Sequence, residues 1–237
     1  MKLISVIFTA ALLSLAEVGS SQGFVNLNFE SASLVPVPGD PYGSVQYPQA
    51  FPGWTETVVG GISTNALYNN VFLDSAGITI IDHNWTNVSY IPGGLIQGNY
   101  TAILQSGLGY TTNGAAPADI SLSQTGQVPV GTQSLQFKIY EDFDSRGAFA
   151  VTLGGQTLFL TSLGTGANYT LYGANVSEWA GQTVPLAFTV FGENPHQNDE
   201  YLYLDAIQFS TQSIPEPSEL ALAALGALLL GLRRRHR

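Results

Sequence analysis

Positions 134 to 140 read Ser-Leu-Gln-Phe-Lys-Ile-Tyr, which puts Leu135, Phe137 and Ile139 on one face and Gln136 and Lys138 on the other. A period of two is the mark of a strand with one buried face. The run 149–153, the pair Gly154-Gly155 and the run 156–160 predict a hairpin, because a two-residue turn needs positive φ at both central positions and glycine adopts it without steric cost. Apolar runs or alternations predict further strands at 24–29, 77–82, 100–105, 118–124, 184–191 and 201–209. Between positions 21 and 214 no stretch keeps a helical period for three turns. Many short strands separated by turn residues predict an all-β fold, an antiparallel β-sandwich or jelly roll.

The two ends carry a different pattern. Lys2 is followed by an apolar run from Leu3 to Leu15 and then by the small residues Val18-Gly19-Ser20-Ser21. That order is a secretory signal peptide, with cleavage expected after Ser20 or Ser21. At the other end an apolar segment runs from Ser218 to Leu232; as a helix it reaches roughly 22 Å, short of the about 30 Å of a bilayer core. Arg233, Arg234, Arg235 and Arg237 follow directly. Basic residues after an apolar segment stay in the cytoplasm, which puts the body outside. The sandwich is thus expected between an N-terminal signal helix and a short hydrophobic C-terminal helix.

Pro215-Glu216-Pro217, the hydrophobic segment and the Arg233-Arg234-Arg235 cluster together resemble the PEP-CTERM sorting signal of Gram-negative bacteria. The resemblance covers residues 215–237 of 237. It implies that a membrane-embedded exosortase recognises the tail and removes it during delivery to the cell surface, so that membrane contact through the tail is transient. The implied partners are exosortase and the secretion machinery, and the implied location is the outer surface or extracellular matrix. Two prolines hold the chain extended and keep it out of helices and central strands, a form that a processing enzyme can grip. The alternative is an ordinary C-terminal anchor. The expected division is a signal peptide at 1–20, a sandwich domain at 21–210, a linker at 211–214 and the sorting signal at 215–237.

Composition narrows the chemistry. From position 21 to 214 the basic residues are Lys138 and Arg146 against fourteen acidic ones, a net charge of −12. Nucleic acid and anionic membrane surfaces are poor partners for such a body. The chain has no cysteine, which excludes disulfides, thiolate metal sites and a cysteine nucleophile. His83 and His196 stand alone, without metal-ligand spacing, and neither a Gly-x-Ser-x-Gly elbow nor a glycine-rich phosphate loop occurs. Glu141-Asp142-Phe143-Asp144 is the densest acidic run, and glycoside hydrolysis uses paired carboxylates. The run departs from the Glu-x-Asp-x-x-Glu strand motif of laminarinase-like hydrolases, since Arg146 stands where that pattern needs its final acid. No catalytic residue is assigned, and the protein is not expected to be an enzyme.

A second, more diffuse resemblance covers the body. Residues 100–107 (Tyr-Thr-Ala-Ile-Leu-Gln-Ser-Gly), 120–126, 176–184 and 204–210 are similar to recurring segments of exported PEP-CTERM proteins, whose bodies resemble galactose-binding-like or carbohydrate-binding-module jelly rolls. Asn26-Leu27-Asn28-Phe29-Glu30 and Pro52-Gly53-Trp54 resemble the opening of those modules. The resemblance implies neighbouring first and last strands with a structural calcium between them, for which Glu30 and Asp205 occupy positions similar to the ligands. The alternative is that these carboxylates cap strand ends by accepting hydrogen bonds from backbone amides. No other cofactor is expected. For extracellular polysaccharide, the candidates for stacking on sugar faces are Trp54, Trp85 and Tyr47, then Tyr42 and Tyr90, with Asn84 and Asn87 beside them in sequence. Trp179 reads as core. The leading expectation is a non-catalytic structural or adhesive surface protein; a carbohydrate-binding module is the alternative, and a small glycoside hydrolase comes last.

Overall fold

The computed structural model describes residues 23–58, 64–86, 93–111, 114–143, 148–192 and 200–214. The expected signal peptide and sorting tail lie outside the described residues, as do Asn87, Tyr90, Asp144, Arg146 and His196. No helix among the described residues is long and apolar enough to cross a membrane.

In chain order the elements begin with β1 (Val45–Gln46), the single helical turn α1 (Tyr47–Ala50), β2 (Thr55–Val58), β3 (Asn65–Tyr68) and β4 (Gly77–Ile81). There follow β5 (Thr101–Thr111), β6 (Gly114–Ala118), β7 (Ile120–Gln127), β8 (Ser134–Asp142), β9 (Phe149–Leu153) and β10 (Gln156–Thr157). The last are β11 (Thr161–Thr165), β12 (Thr170–Asn175), β13 (Thr183–Val190) and β14 (Glu200–Ser210). They form two sheets. The larger runs β1-β3-β4-β5-β14-β8-β12-β11, with β6 paired to β5; the smaller runs β10-β9-β13-β7-β2. The β3–β4 pair is parallel and the other strand pairs are antiparallel.

The alternation decides which side chains meet between the sheets. Leu135, Phe137 and Ile139 of β8, Leu202 and Leu204 of β14, and Ala102 and Leu104 of β5 face Leu122 of β7, Val151 and Leu153 of β9, and Leu186, Phe188 and Val190 of β13, all of them buried in one cluster. Phe137 meets Phe188 edge to face at 5.1 Å between centroids, an arrangement that aromatic quadrupoles favour. The hairpin turn is as expected, with Gly154 and Gly155 at φ 61° and 79°, and Trp179 is buried.

Two sequence expectations need correction. Residues 24–29 do not form a strand, because Asn26 and Phe29 adopt φ of 50° and 58°. The segment instead wraps round the Asn26 side chain, which accepts from the Ser31 amide at 2.9 Å and donates to the Pro52 carbonyl at 3.4 Å. It still lies beside the last strand, as the Ile207 amide donates to the Leu27 carbonyl at 2.9 Å and the rings of Phe24 and Phe209 sit 5.0 Å apart. The second arm of the hairpin stops at Thr157 rather than continuing to position 160. The shorter strands β1, β2, β3, β6, β11 and β12 were not signalled by periodicity, since two to six residues give too few alternations to stand out.

The larger sheet also has a second buried layer, on its outer face. Ile81, Ile103, Tyr203 and Trp85 cluster there with Val71, Ile96, Tyr140 and Tyr201. Every residue of β4 is buried, as expected of a strand covered on both faces.

Candidate functional site

Register places the outer-face side chains of the larger sheet in rows. Asp142 of β8 lies opposite Tyr201 of β14, which lies opposite Gln105 of β5. The next row is Tyr140, Tyr203 and Ile103, continued by Thr79 of β4. Lys138 and Asp205 form the third row, and Gln136 and Gln208 the fourth. The third and fourth rows stay aligned only because a bulge at Ala206, φ 51°, takes up the extra residue between them.

Loops cover the β4 and β5 side of these rows. The Gln105 amide grips the Phe72 backbone twice, accepting from its N–H at 3.0 Å and donating to its carbonyl at 2.7 Å. Thr79 donates to the Asn70 carbonyl at 2.8 Å. Gly93 lies so close to the Tyr203 ring that a side chain at position 93 would collide with it. Trp85 donates its indole N–H to the Gly93 carbonyl at 3.4 Å. The β8 side is more open: Lys138, Tyr140, Asp142 and Tyr201 are half-buried.

This open quarter holds two unusual polar groups. The Tyr203 side chain is fully buried and its hydroxyl has no hydrogen-bond partner among the described residues. Its pKa is pushed up, first by burial and then by the charges of Asp142, Tyr201 and Tyr140. Burial alone raises Asp142 above the usual carboxylate range. Tyr140, whose ring meets that of Tyr203 edge to face at 5.7 Å, is raised by burial and by Asp142. Buried polar groups normally find partners, so the enclosed Tyr203 phenol beneath the half-buried Asp142 carboxylate is an unusual feature of this face.

Below it the polar groups are satisfied. Lys138 donates to the Gln97 side chain at 2.6 Å and lies 4.5 Å from the centre of the Tyr169 ring. Asn168 donates to the Leu95 carbonyl at 2.8 Å. Asp205 accepts at Oδ2 from the Gln97 amide at 3.1 Å and from the Thr101 hydroxyl at 2.9 Å, and at Oδ1 from the Ala206 amide at 2.6 Å. Burial raises its pKa to about 6, against the lowering by those bonds and with a further rise from Glu30.

The residues marked out by sequence fall in different places. Glu30 and Asp205 do approach one another across the loop at 97–101, but both meet donors. Glu30 accepts from the Asn99 amide at 2.7 Å, the Tyr100 amide at 3.2 Å and the Asn99 side chain at 2.8 Å. Each carboxylate thus accepts three hydrogen bonds, at least two of them from N–H groups. The geometry is the backbone-capping alternative. No group of three or more metal-binding side chains occurs among the described residues.

The three aromatic candidates for sugar stacking are core residues. Trp54 is 4% exposed, donates to the Asn26 carbonyl at 3.0 Å and packs on Phe29 and Phe188. Tyr47, 3% exposed, stacks on Phe51 at 5.2 Å. Trp85, 9% exposed, belongs to the outer-face layer. None of these rings presents a free face to a pyranose. The helical turn α1 packs Tyr47 and Ala50, with Phe51 after it, into the core. Tyr42 alone of this stretch's aromatics is well exposed. Asn84 and Asn69 instead bind Asp82, at 2.8 Å for the Asn84 amide and 2.6 Å for the Asn69 side chain.

Glu141 and Asp142 point to opposite faces of β8, as adjacent strand residues must. Asp142 faces the outer tyrosines, whereas Glu141 lies by Tyr172, whose ring stacks on the core Phe137. The tyrosine group was missed in sequence, although Tyr140 and Asp142 on β8 and Tyr201 and Tyr203 on β14 share the outward parity that the alternation defines.

Comparison with known protein families and with curated proteins finds no match. Among solved structures the chain is similar to the carbohydrate-binding module TmCBM61, determined with beta-1,4-galactotriose, at 11% identity and a TM-score of 0.44 over 81% of this chain and 100% of that one. It is also similar to the K2 cleaved adhesin domain of Lys-gingipain, at 15% identity and a TM-score of 0.41 over 77% of this chain and 96% of that one.

Proposed function

We propose that the chain is an exported surface or matrix protein, delivered by a PEP-CTERM tail that exosortase removes, with a β-sandwich that serves as a non-catalytic structural or adhesive body. The observation that carries this is the three-part order of residues 215–237: Pro215-Glu216-Pro217, an apolar segment too short for a comfortable bilayer span, and an arginine cluster. The signal peptide supplies the required export. The non-catalytic reading is supported by the opposed directions of Glu141 and Asp142 within the acidic run weighed for glycoside hydrolysis, whose third acid, Asp144, lies outside the described residues. Intact mass tests the sorting. Protein recovered from its native host is expected to end near Pro215 to Pro217, and protein made without exosortase to keep Arg233 to Arg237. Native protein that retains those arginines makes the tail a permanent anchor.

A second reading, a module for extracellular polysaccharide, is favoured by one observation. The half-buried side chains of Tyr140, Tyr201 and Asp142, the last with its carboxyl raised by burial, share a half-open face of the larger sheet above the buried Tyr203 ring. Sugar hydroxyls donate to carboxylates and accept from phenols while their rings pack on aromatic faces. Nuclear magnetic resonance titration with neutral galacto-, gluco- and xylo-oligosaccharides is expected to shift signals of Tyr140 and Tyr201, and Asp142→Asn to abolish the shifts with the melting temperature retained. Silence across the panel removes this reading and leaves the structural body.

A further inference from the structure

After β14 ends at Ser210, the chain does not leave the body at once. The Gln212 amide donates to the Ser210 hydroxyl at 3.1 Å, and the Gln212 carbonyl accepts from the Ser134 hydroxyl at 2.7 Å, across from the first residue of β8. Two residues on, Ile214 lies over Gly173 of β12. A β-carbon built on Gly173 would come 2.6 Å from Ile214 Cδ1 and 2.8 Å from Leu163 Cδ1, well inside contact distance. Gly173 sits opposite Gln136, on the outer face of the larger sheet. Its missing side chain therefore forms a dimple, walled by Leu163 of β11, that receives the Ile214 side chain. Ile214 is half-buried there although residues 211–213 are exposed.

We infer that residues 211–214 are a strap belonging to the folded body, seated by the Gly173 dimple, and that this strap sets the N-terminal limit at which the chain can be cut near its sorting motif. Sequence alone makes this stretch a polar linker. The structure instead ties it at two points, the Ser134 bond and the Ile214 contact, with Pro215 the next residue. A peptidase must draw an extended stretch of substrate into its cleft, so cutting inside the strap requires the strap to lift from the sheet. Proteolysis of this kind follows the population of the opened form. The restriction falls where residue 214 gives way to Pro215-Glu216-Pro217, and the mature C-terminus is thereby confined to a narrow range while the body stays folded. The strap does not depend on the sorting reading; its use in sorting does.

The test is limited proteolysis of the full-length chain with a broad-specificity serine protease, followed by intact mass. Each cut is a hydrolysis, in which water adds across the peptide bond to leave a carboxylate on the body and an amine on the released tail. For the wild type, the first body-containing fragments are expected to end at or after Ile214. Gly173 has ordinary negative-φ backbone, so Gly173→Ala is tolerated by the main chain but displaces Ile214; cuts within 211–214 are then expected to rise about tenfold, as loss of one buried aliphatic contact implies. Ile214→Ser removes the contact without touching the sheet and is expected to do the same, with a melting temperature close to wild type. Equal cutting within 211–214 in wild type and Ile214→Ser overturns the strap. If the strap holds but native protein keeps its arginines, the sorting reading fails alone; if native protein is trimmed to varied positions inside 211–214, the strap does not govern processing.

Discussion

Glu30 holds Asn99 at two points, its Oε1 accepting the Asn99 amide at 2.7 Å and its Oε2 the Asn99 side-chain amide at 2.8 Å. The loop between Gln97 and Thr101 can close on the carboxylate because position 98 is glycine at φ 65°, where a β-carbon would strike Glu30 Oε1. One segment from near the start of the body thus orders the loop that leads into β5. Hydrogen bonds to a charged acceptor contribute about 1.5–3 kcal/mol each, and water recovers part of that at a half-exposed site. Glu30→Ala is expected to lower unfolding free energy by about 2 kcal/mol in urea titrations, and Gly98→Ala to destabilise as well. An unchanged midpoint for Glu30→Ala would show the clasp to be incidental.

The same contacts predict the response to calcium. Because Glu30 and Asp205 face N–H donors, neither a chelator nor millimolar calcium is expected to move the melting temperature. A saturable rise with calcium, which linkage would require of a ligand bound to the native state, would restore the pair as metal ligands.

Asp205 makes stability depend on pH. Its folded-state pKa, about 6, lies above the ordinary aspartate value of 3.8. The native state therefore holds an extra proton between roughly pH 4 and pH 6, and stability falls as pH rises through that window, by about 3 kcal/mol in full. The raised Asp142 acts in the same direction, more weakly because it is partly exposed; the lowered Asp82 and Asp40 act in the opposite one. Comparison of wild type with Asp205→Asn isolates the contribution. From pH 4.5 to 7.5 the wild type is expected to lose stability relative to the variant, and parallel melting curves would remove Asp205 as the cause.

Trp54 separates packing from ligand contact. Buried between Phe29 and Phe188 with its indole N–H bound to Asn26, it is expected to cost about 3–5 kcal/mol when changed to alanine. A Trp54→Ala protein with undiminished stability would contradict its place in the core. Loss of sugar binding in that variant would say nothing of a stacking role unless stability were preserved.

Sequence carried the class of fold, because alternation is a local property and β8, β13 and β14 are long enough to show it. It also marked the Gly154-Gly155 turn, the buried Trp179 and the composition that excludes thiol chemistry. Those features depend on residues a few positions apart. What lay in the tertiary structure was which faces are covered and what meets across them. Trp54 and Tyr47 were candidates for sugar stacking until the packing of distant segments buried them. Glu30 and Asp205, far apart in sequence, come together only once the loop at 97–101 turns its amides toward both. The outer tyrosine rows exist only once β8, β14 and β5 are in register, and the seat of Ile214 only once β12 lies beneath it. Sequence fixes parity along a strand; only the long-range pairing of strands decides which neighbour each outward side chain receives.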